Sequence, residues 1–200
     1  MSSCGLSLTD FILIIDDCDY IKNCNSNINK NEDSFSYLIK DVVLSQSDCI
    51  KLGMGFEKLL SDTILKFTKL INIKPKNKKG YKEKDHLFID EKNKIIYYAE
   101  LKGNLNLDTE KSKSTCDKCN YIINELQNDY IDYKIKWCLL GYRYITNKDI
   151  KKSIMYKYND IKDNVYGINE YLNMLNIPFK FTDDIYIEYI NKIAIKMFNK

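Results

Sequence analysis

Residues 84–104, KDHLFIDEKNKIIYYAELKGN, contain two short apolar runs that are joined by a polar turn and bordered by charged residues. The runs, at about 86–89 and 95–101, are rich in aromatic and β-branched residues, which is typical of strands. The turn between them places Lys92 and Asn93 at its tip, and asparagine suits a turn position with positive φ. The stretch therefore predicts a β-hairpin.

The pairing of this hairpin brings charged residues to one face. Counting down the ladder from the turn places Asp85 opposite Glu100, and opposed residues share a face with Cβ atoms about 5 Å apart. Lys102 lies two residues after Glu100, so it points to the same face. Asp90 lies beside the turn, roughly 17 Å from Asp85 at the rise of a strand, and is predicted to be a turn residue. His86 alternates to the opposite face, where a packed or hydrogen-bonded role is expected.

Two interpretations of this charged face remain open at the level of sequence. Asp85 and Glu100 would repel each other unless a positive group lies between them. Lys102 could supply that charge in a partly buried salt-bridge cluster. Alternatively, a hard divalent cation such as Mg²⁺ could bind both carboxylates and a substrate phosphate. It would polarise the phosphoryl oxygen and activate a water, which Lys102 could orient or deprotonate, or Lys102 could stabilise transition-state charge.

The remaining elements follow from hydrophobic periodicity. Apolar residues recur at helical spacing over 53–70 and predict an amphipathic helix. The run IKWCLLGY at 135–142 predicts a buried central strand. The other predicted elements are a helix at 34–44, a helix at 109–130 with Asp108 as its N-cap, a weak strand near 164–168, a short helix near 169–175 and a helix at 182–198 capped by Thr182. Together they predict one α/β or α+β domain over residues 1–200, with a mixed sheet flanked by helices.

The distribution of charge is more informative than its sum, because a formal net charge of +3 is too small to indicate nucleic-acid binding. Lysines crowd into a segment that also contains Pro75 and Gly80. They are Lys66, Lys69, Lys74, Lys76, Lys78, Lys79, Lys82 and Lys84. This segment is either a solvated loop or a track that faces phosphates. Arg143, the sole arginine, is a candidate for bidentate contact with guanine or simply a surface charge.

Seven cysteines without a secretory signal predict reduced thiols in an intracellular, cytosol-like compartment. The early run FILII is too short for a signal core, and no stretch approaches the length of a transmembrane helix, so no membrane partner is expected. Cys116 and Cys119 form a CxxC, but no second CxxC or spare histidine completes a structural zinc site. Two cysteines one helical turn apart is the preferred interpretation. The single histidine, His86, excludes nuclease classes built on two or more histidines.

Asp85, a gap of fourteen residues and then Glu100-Leu101-Lys102 resembles the signature of the PD-(D/E)xK nucleases. The stretch AELKGNLNLDTEKS is similar to the equivalent region of small type II restriction endonucleases, particularly those of large algal viruses. In that family an acidic residue begins the second core strand, E-x-K lies on the third, and a helix and a buried strand follow. The resemblance covers about 53–145, and Lys84 stands where the family name has proline.

The resemblance implies a Mg²⁺-dependent type II restriction endonuclease, with Mn²⁺ able to substitute, that cuts double-stranded DNA at a short palindromic sequence as a homodimer. Asp85 and Glu100 would be metal ligands, the Leu101 carbonyl a further ligand and Lys102 the catalytic lysine. Glu57, on the preceding helix, is either an additional catalytic carboxylate or a helix-surface charge. The alternatives are a repair, nicking or structure-specific nuclease of the same fold and a non-catalytic DNA-binding module.

Contacts with DNA are expected from lysines and from loops near this motif. Lysines over 74–84 and in the first turns of the following helix would grip phosphates, and a loop at 141–152 would read bases, including Tyr142 or Tyr144. The candidate DNA-contacting residues are Lys76, Lys78, Lys79, Lys82, Asn104, Lys111, Lys113 and Arg143.

Overall fold

The computed structural model describes residues 6–17, 46–75 and 82–198. Within these ranges the chain forms a five-stranded mixed sheet flanked by helices, so the predicted fold class is confirmed. The strands, in spatial as well as chain order, are β1 (Ile71–Asn72), β2 (His86–Asp90), β3 (Ile95–Lys102), β4 (Lys134–Gly141) and β5 (Val165–Tyr166). The first three pair antiparallel, whereas β3, β4 and β5 run parallel to one another.

Helices surround this sheet in the described part of the chain. They are α1 (Leu8–Asp17), α2 (Gln46–Phe67), α3 (Thr109–Asp129), α4 (Lys152–Met155), α5 (Ile168–Met174) and α6 (Asp183–Phe198), with 3₁₀ segments at Asn147–Asp149 and Tyr156–Asn164. The predicted helix at 34–44 lies outside the described residues. The strand predicted near 164–168 and the helices predicted near 169–175 and at 182–198 are confirmed. The Thr182 hydroxyl accepts a hydrogen bond from the backbone of Ile185, as expected of a cap.

The β2–β3 hairpin has the predicted register, with His86 opposite Ala99 and Asp90 opposite Ile95. Its turn differs from the prediction. The ladder ends at Asp90, and residues 91–94 form the turn. The positive φ falls on Lys94 (51°) rather than on Asn93. Asn93 instead donates to the Asp90 carboxylate from its backbone and its side chain, so a local side-chain contact closes a wider turn.

The predicted central strand is β4, which lies between β3 and β5. Because parallel strands require a crossover connection, the chain must leave the sheet between β3 and β4, and α3 forms that crossover. Asp108 caps α3 as predicted, accepting a hydrogen bond from Lys111 N at 2.8 Å. Helices cover both faces of β4, which explains its nearly continuous apolar sequence.

The two faces of the sheet contribute to different apolar clusters. Phe88, Ala99 and Leu101 pack with α1, α2, α5 and α6 on one face. Tyr98 and Leu87 point to the other face, where α3 covers them. The 3₁₀ segment Tyr156–Asn164 extends this second layer over the far end of the sheet. Alternate residues of the hairpin strands therefore enter different layers, and the charged cluster belongs to the α3 face.

The region between α2 and β2 departs from the sequence prediction. The helix predicted at 53–70 begins by Gln46 and ends at Phe67, and a two-residue strand, β1, follows within the predicted lysine-rich loop. Both residues of β1 are exposed, so their hydrophobicity pattern gives little signal. This segment is a strand only because it pairs with β2.

His86 has the packed role that its position predicts. The ring is buried on the α2 face, where Nε2–H donates to the Glu57 carbonyl at 2.8 Å and Nδ1 accepts from the Tyr171 hydroxyl at 2.6 Å. Burial lowers the pKa of His86 to about 4, so the ring is neutral at pH 7.

Replacing Tyr171 by phenylalanine should lower the free energy of unfolding by about 1–3 kcal/mol, because the buried Nδ1 of His86 loses its donor. Urea unfolding at pH 7 measures the effect. Tyr121→Phe is the matched control, since it removes a hydroxyl from an exposed tyrosine and should change stability by less than about 0.5 kcal/mol. Equal stability of the two variants would contradict the assignment.

Candidate functional site

Asp85, Glu100 and Lys102 converge at the end of the hairpin that is remote from its turn. Asp85 immediately precedes β2, and its carboxylate accepts the Leu101 backbone N–H at 2.7 Å. Lys102 Nζ lies 2.7 Å from Glu100 Oε1. The register of the hairpin thus brings together the three side chains that the sequence singles out, on the face of the sheet covered by α3.

A fourth charged residue, Lys118 of α3, completes the cluster and was missed by sequence reasoning. Its Nζ lies 2.6 Å from Glu100 Oε2 and 4.0 Å from Asp85 Oδ1. A weak signal was available, because Lys118 lies one helical turn from each of two buried positions, Thr115 and Ile122. A lysine beside the buried stripe of a helix could have been expected to reach a carboxylate on the sheet below.

Both carboxylates are largely shielded from water. Glu100 is 0% exposed and the Asp85 side chain 15% exposed. Burial, and secondly the charge of Glu100, raise the pKa of Asp85 from 3.8 to about 6, although the charge of Lys118 acts in the opposite direction. The two acids therefore do not share one environment, since Glu100 is enclosed by cations whereas Asp85 is not.

The partners of Glu100 are donors that keep their protons. Burial acts to lower the pKa of Lys102, but the charge of Glu100, the hydrogen bond it accepts from Lys102 and the charge of Asp85 together outweigh burial, and the pKa is raised above its usual value. The Tyr98 hydroxyl donates to Glu100 Oε2 at 3.2 Å, and burial raises the pKa of this phenol well above its usual value. Burial likewise raises the pKa of the nearby Cys119 thiol to about 12. At neutral pH these groups are a cationic lysine, a neutral phenol and a neutral thiol.

The oxygen atoms of this site suit a hard divalent cation. In an extended strand the N–H and C=O of one residue point to the same side, so the Leu101 carbonyl faces the side from which its N–H reaches Asp85. With the carboxylates of Asp85 and Glu100 it would offer a cation only oxygen donors, and Mg²⁺ needs only one or two carboxylates when substrate phosphate and water supply the rest. The described residues hold no group of three or more His, Cys, Asp or Glu side chains that could hold a metal ion. A cation here therefore depends on backbone, water or substrate oxygens as well.

Glu57 does not join the cluster, so the option of a catalytic Glu57 is not supported. Its carboxylate forms an ion pair with Lys74 at 2.5 Å, and Lys74 also lies 3.7 Å from Glu83. The helix that carries Glu57 packs on the opposite face of the sheet, where its carbonyl meets His86. The alternative interpretation, a charge at the surface of the helix, agrees with this position.

The lysine-rich segment only partly fits a phosphate track. Three of its candidates, Lys76, Lys78 and Lys79, lie outside the described residues. Lys84 is buried and pairs with Glu125 at 2.6 Å, so the expectation that it grips phosphate is wrong. Lys74 is likewise engaged by Glu57. Lys74 and Lys84 therefore form ion pairs within the fold.

Three other lysine candidates remain at the surface. Lys82 lies over the exposed ring of Tyr121, with Nζ 4.5 Å from the ring centroid. Lys111 is exposed in the first turn of α3 and pairs with Asp108 at 3.0 Å. Lys113 is exposed two residues further on. All three lie on or against α3, the helix that carries Lys118.

The candidates for reading bases have different surroundings. Tyr142 is 6% exposed and stacks on Phe56 at a centroid distance of 4.4 Å, so the suggestion that it contacts bases is wrong. Tyr144 and Arg143 are half-buried. Asn104 is also half-buried, and its side chain accepts a hydrogen bond from a backbone N–H two residues on. Arg143 and Asn104 remain candidates for DNA contact.

The CxxC cysteines are packed within the core. Cys116 and Cys119 lie one turn apart on α3, as the preferred interpretation predicts, and both are buried and free. Cys49 and Cys138 are also free thiols. All four cysteines in the described residues are therefore free, and three of them are buried.

Replacing Asp85 by asparagine should make the protein more stable relative to wild type as the pH rises. The folded-state pKa of about 6 lies above the unfolded value of 3.8, so the contribution of Asp85 to stability is fully present below pH 3.8 and is lost as the pH rises through 6. Asparagine does not titrate, and the variant should therefore gain about 3 kcal/mol on wild type between pH 4 and 7. Urea unfolding across this range in EDTA measures the difference. A pH-independent difference would contradict the raised pKa.

The described residues thus define a mixed α+β protein with a buried carboxylate–lysine cluster at one end of its central hairpin. Comparisons with known protein families, curated proteins and solved structures found no match. Among the described helices, none combines the length and the apolar character needed to cross a membrane.

Proposed function

We propose that this chain is a Mg²⁺-dependent endonuclease of the PD-(D/E)xK type that cuts double-stranded DNA, most specifically a type II restriction endonuclease. The observation that carries the proposal is the convergence of Asp85, Glu100 and Lys102 on one face of the sheet, in a buried cluster with hydrogen-bonding contacts of 2.7 Å. A scattered D…ExK pattern that occurred by chance would not require these side chains to meet.

The order of the elements supports the same proposal. In the nucleases that the motif resembles, an acidic residue begins the second core strand and E-x-K lies on the third. Here Asp85 directly precedes β2, and Glu100 and Lys102 lie on β3. The short strand β1, which the sequence did not predict, makes β2 the second strand of the sheet. The helix α3 and the buried strand β4 follow, as in that family.

The residues that would hold the cation are Asp85, Glu100 and the Leu101 carbonyl. When bound, Mg²⁺ supplies Lewis-acid polarisation of a phosphoryl oxygen and lowers the pKa of a coordinated water. Mn²⁺ has similar ligand preferences and should substitute. Lys102 keeps its proton beside Glu100, so its role in this proposal is to donate hydrogen bonds to a phosphate or a water and to stabilise negative charge that develops at phosphorus.

The proposed substrate and assembly follow from the number of sites. The described residues of one chain form one such cluster, and cutting both strands of a palindrome needs two clusters related by a two-fold axis, so the active form is proposed to be a homodimer. Exposed lysines near α3, namely Lys82, Lys111 and Lys113, are proposed to contact phosphates. Arg143 and Asn104 are proposed to lie nearer the bases.

Incubation of plasmid DNA with the protein and MgCl₂, with EDTA as the control, tests this proposal. Discrete fragments that require Mg²⁺ are expected. Nicks or a smear would instead favour a repair or structure-specific nuclease with the same site. Retardation of the DNA without cleavage would favour a non-catalytic DNA-binding module in which both Glu100 oxygens stay paired with lysines.

A further inference from the structure

Lys118 bridges the two carboxylates of the cluster from a different element than Lys102 does. We propose that Lys118 is a built-in counter-ion, which occupies the cation position in the cation-free protein and is displaced when a divalent cation binds. This inference rests on the proposed function, because that function identifies the cation as Mg²⁺. It assigns a role to a residue outside the D…ExK motif.

The distances place Lys118 nearer to the cation position than Lys102. Lys118 Nζ approaches Glu100 Oε2 at 2.6 Å and Asp85 Oδ1 at 4.0 Å, so one ammonium faces both acids. Lys102 contacts the other oxygen of Glu100 at 2.7 Å. A cation that binds Asp85 and Glu100 together must therefore take the place of the Lys118 ammonium, whereas Lys102 can remain.

The charge balance of the cluster also requires one of the two lysine ammonium groups to move away when a divalent cation binds. Two carboxylates and two ammonium groups balance in the cation-free protein. Adding two positive charges beside both lysines would leave a large excess in a site where Glu100 has no contact with water. The Lys118 side chain can move out of the cluster, because it is 23% exposed and long enough to place its ammonium in solvent. Glu100 is enclosed and cannot follow it.

Calorimetric titration of the full chain with MgCl₂, in the absence of DNA, tests the proposal. Lys118→Met removes the competing charge and should bind Mg²⁺ at least about tenfold more tightly than wild type. Lys118→Arg keeps the charge and can grip Glu100 with two hydrogen bonds, so its Mg²⁺ affinity should be equal to or lower than that of wild type. Lys58→Met is the control, because it breaks a helical lysine–carboxylate pair on α2 and should leave Mg²⁺ affinity unchanged.

The order of affinities decides the outcome. If Lys118→Met binds Mg²⁺ more tightly than wild type and Lys118→Arg binds it no more tightly than wild type, the result supports displacement. Equal affinities, weaker binding by the methionine variant or no binding by any variant would overturn it. If the methionine variant does not fold in EDTA, the arginine variant decides alone, since Mg²⁺ binding tighter than wild type would contradict the proposal. Plasmid cleavage is scored separately, so a protein that shows the predicted Mg²⁺ affinities but cuts no DNA would refute the nuclease while leaving the counter-ion in place.

Discussion

Lys102→Ala is expected to slow Mg²⁺-dependent cleavage of plasmid DNA by about a thousandfold. A loss of this size is typical when a general acid–base group, or a charge that stabilises the transition state, is removed. The side chain is 32% exposed, so its ammonium lies between the buried Glu100 and the solvent from which a phosphate must approach. Its raised pKa keeps that charge in place at neutral pH. Initial rates under single-turnover conditions measure the effect.

The fold should survive this change, because Lys118 still neutralises Glu100 in the variant. Far-ultraviolet circular dichroism and the urea midpoint check this point. Lys92→Ala, in the turn at the opposite end of the hairpin, is the matched control and should cleave at the wild-type rate. Cleavage by Lys102→Ala within a few-fold of wild type would remove Lys102 from the proposed machinery.

Glu100→Gln is expected to slow cleavage by about as much as Lys102→Ala does. It should also destabilise the cation-free protein by about 2–3 kcal/mol. Glutamine keeps the shape of the buried side chain but removes the charge that faces Lys102 and Lys118. Breaking a buried pair commonly costs more, but both lysines reach partial solvent exposure and can turn outward. Urea unfolding in EDTA measures the loss of stability.

A second substitution tests the cause of that loss. Adding Lys118→Met to Glu100→Gln removes one of the two stranded ammonium groups, so the double variant should be more stable than Glu100→Gln alone. The two substitutions would then be strongly non-additive, as expected for groups in contact. An additive loss would show that Glu100 and Lys118 do not stabilise each other, which would contradict the geometry of the cluster.

The hairpin and its register were predictable because the information is local. The position of the turn determines which residues of the two apolar runs are paired, and a shift of one residue in this pairing would place Asp85 and Glu100 on opposite faces of the sheet. The geometry of a strand also separates two residues from the cluster, Asp90 by its distance along β2 and His86 by its position on the opposite face. The apolar run of β4 and the capped start of α3 are local signals of the same kind.

The details of the turn and of β1 were less predictable for a related reason. Lys94 rather than Asn93 adopts the positive φ, because the Asp90 carboxylate holds Asn93 from both its backbone and its side chain. The strand β1 has only two residues, both exposed, and its identity comes from pairing with β2. Such features depend on which partner a segment meets, and a window of sequence does not contain the partner.

The fold class and the three charged residues at the open end of the hairpin can be derived from the chain's residues alone, since strand alternation and turn position act over neighbouring residues. The charges that surround those three residues depend on how the helices dock. Lys118 enters from α3, Lys84 is taken up by Glu125 and Glu57 is held by Lys74 on the other face. A long flexible side chain can reach several partners, and helix docking selects among them. Electrostatic contacts between elements are therefore set by packing, whereas the face of a strand is set by its sequence.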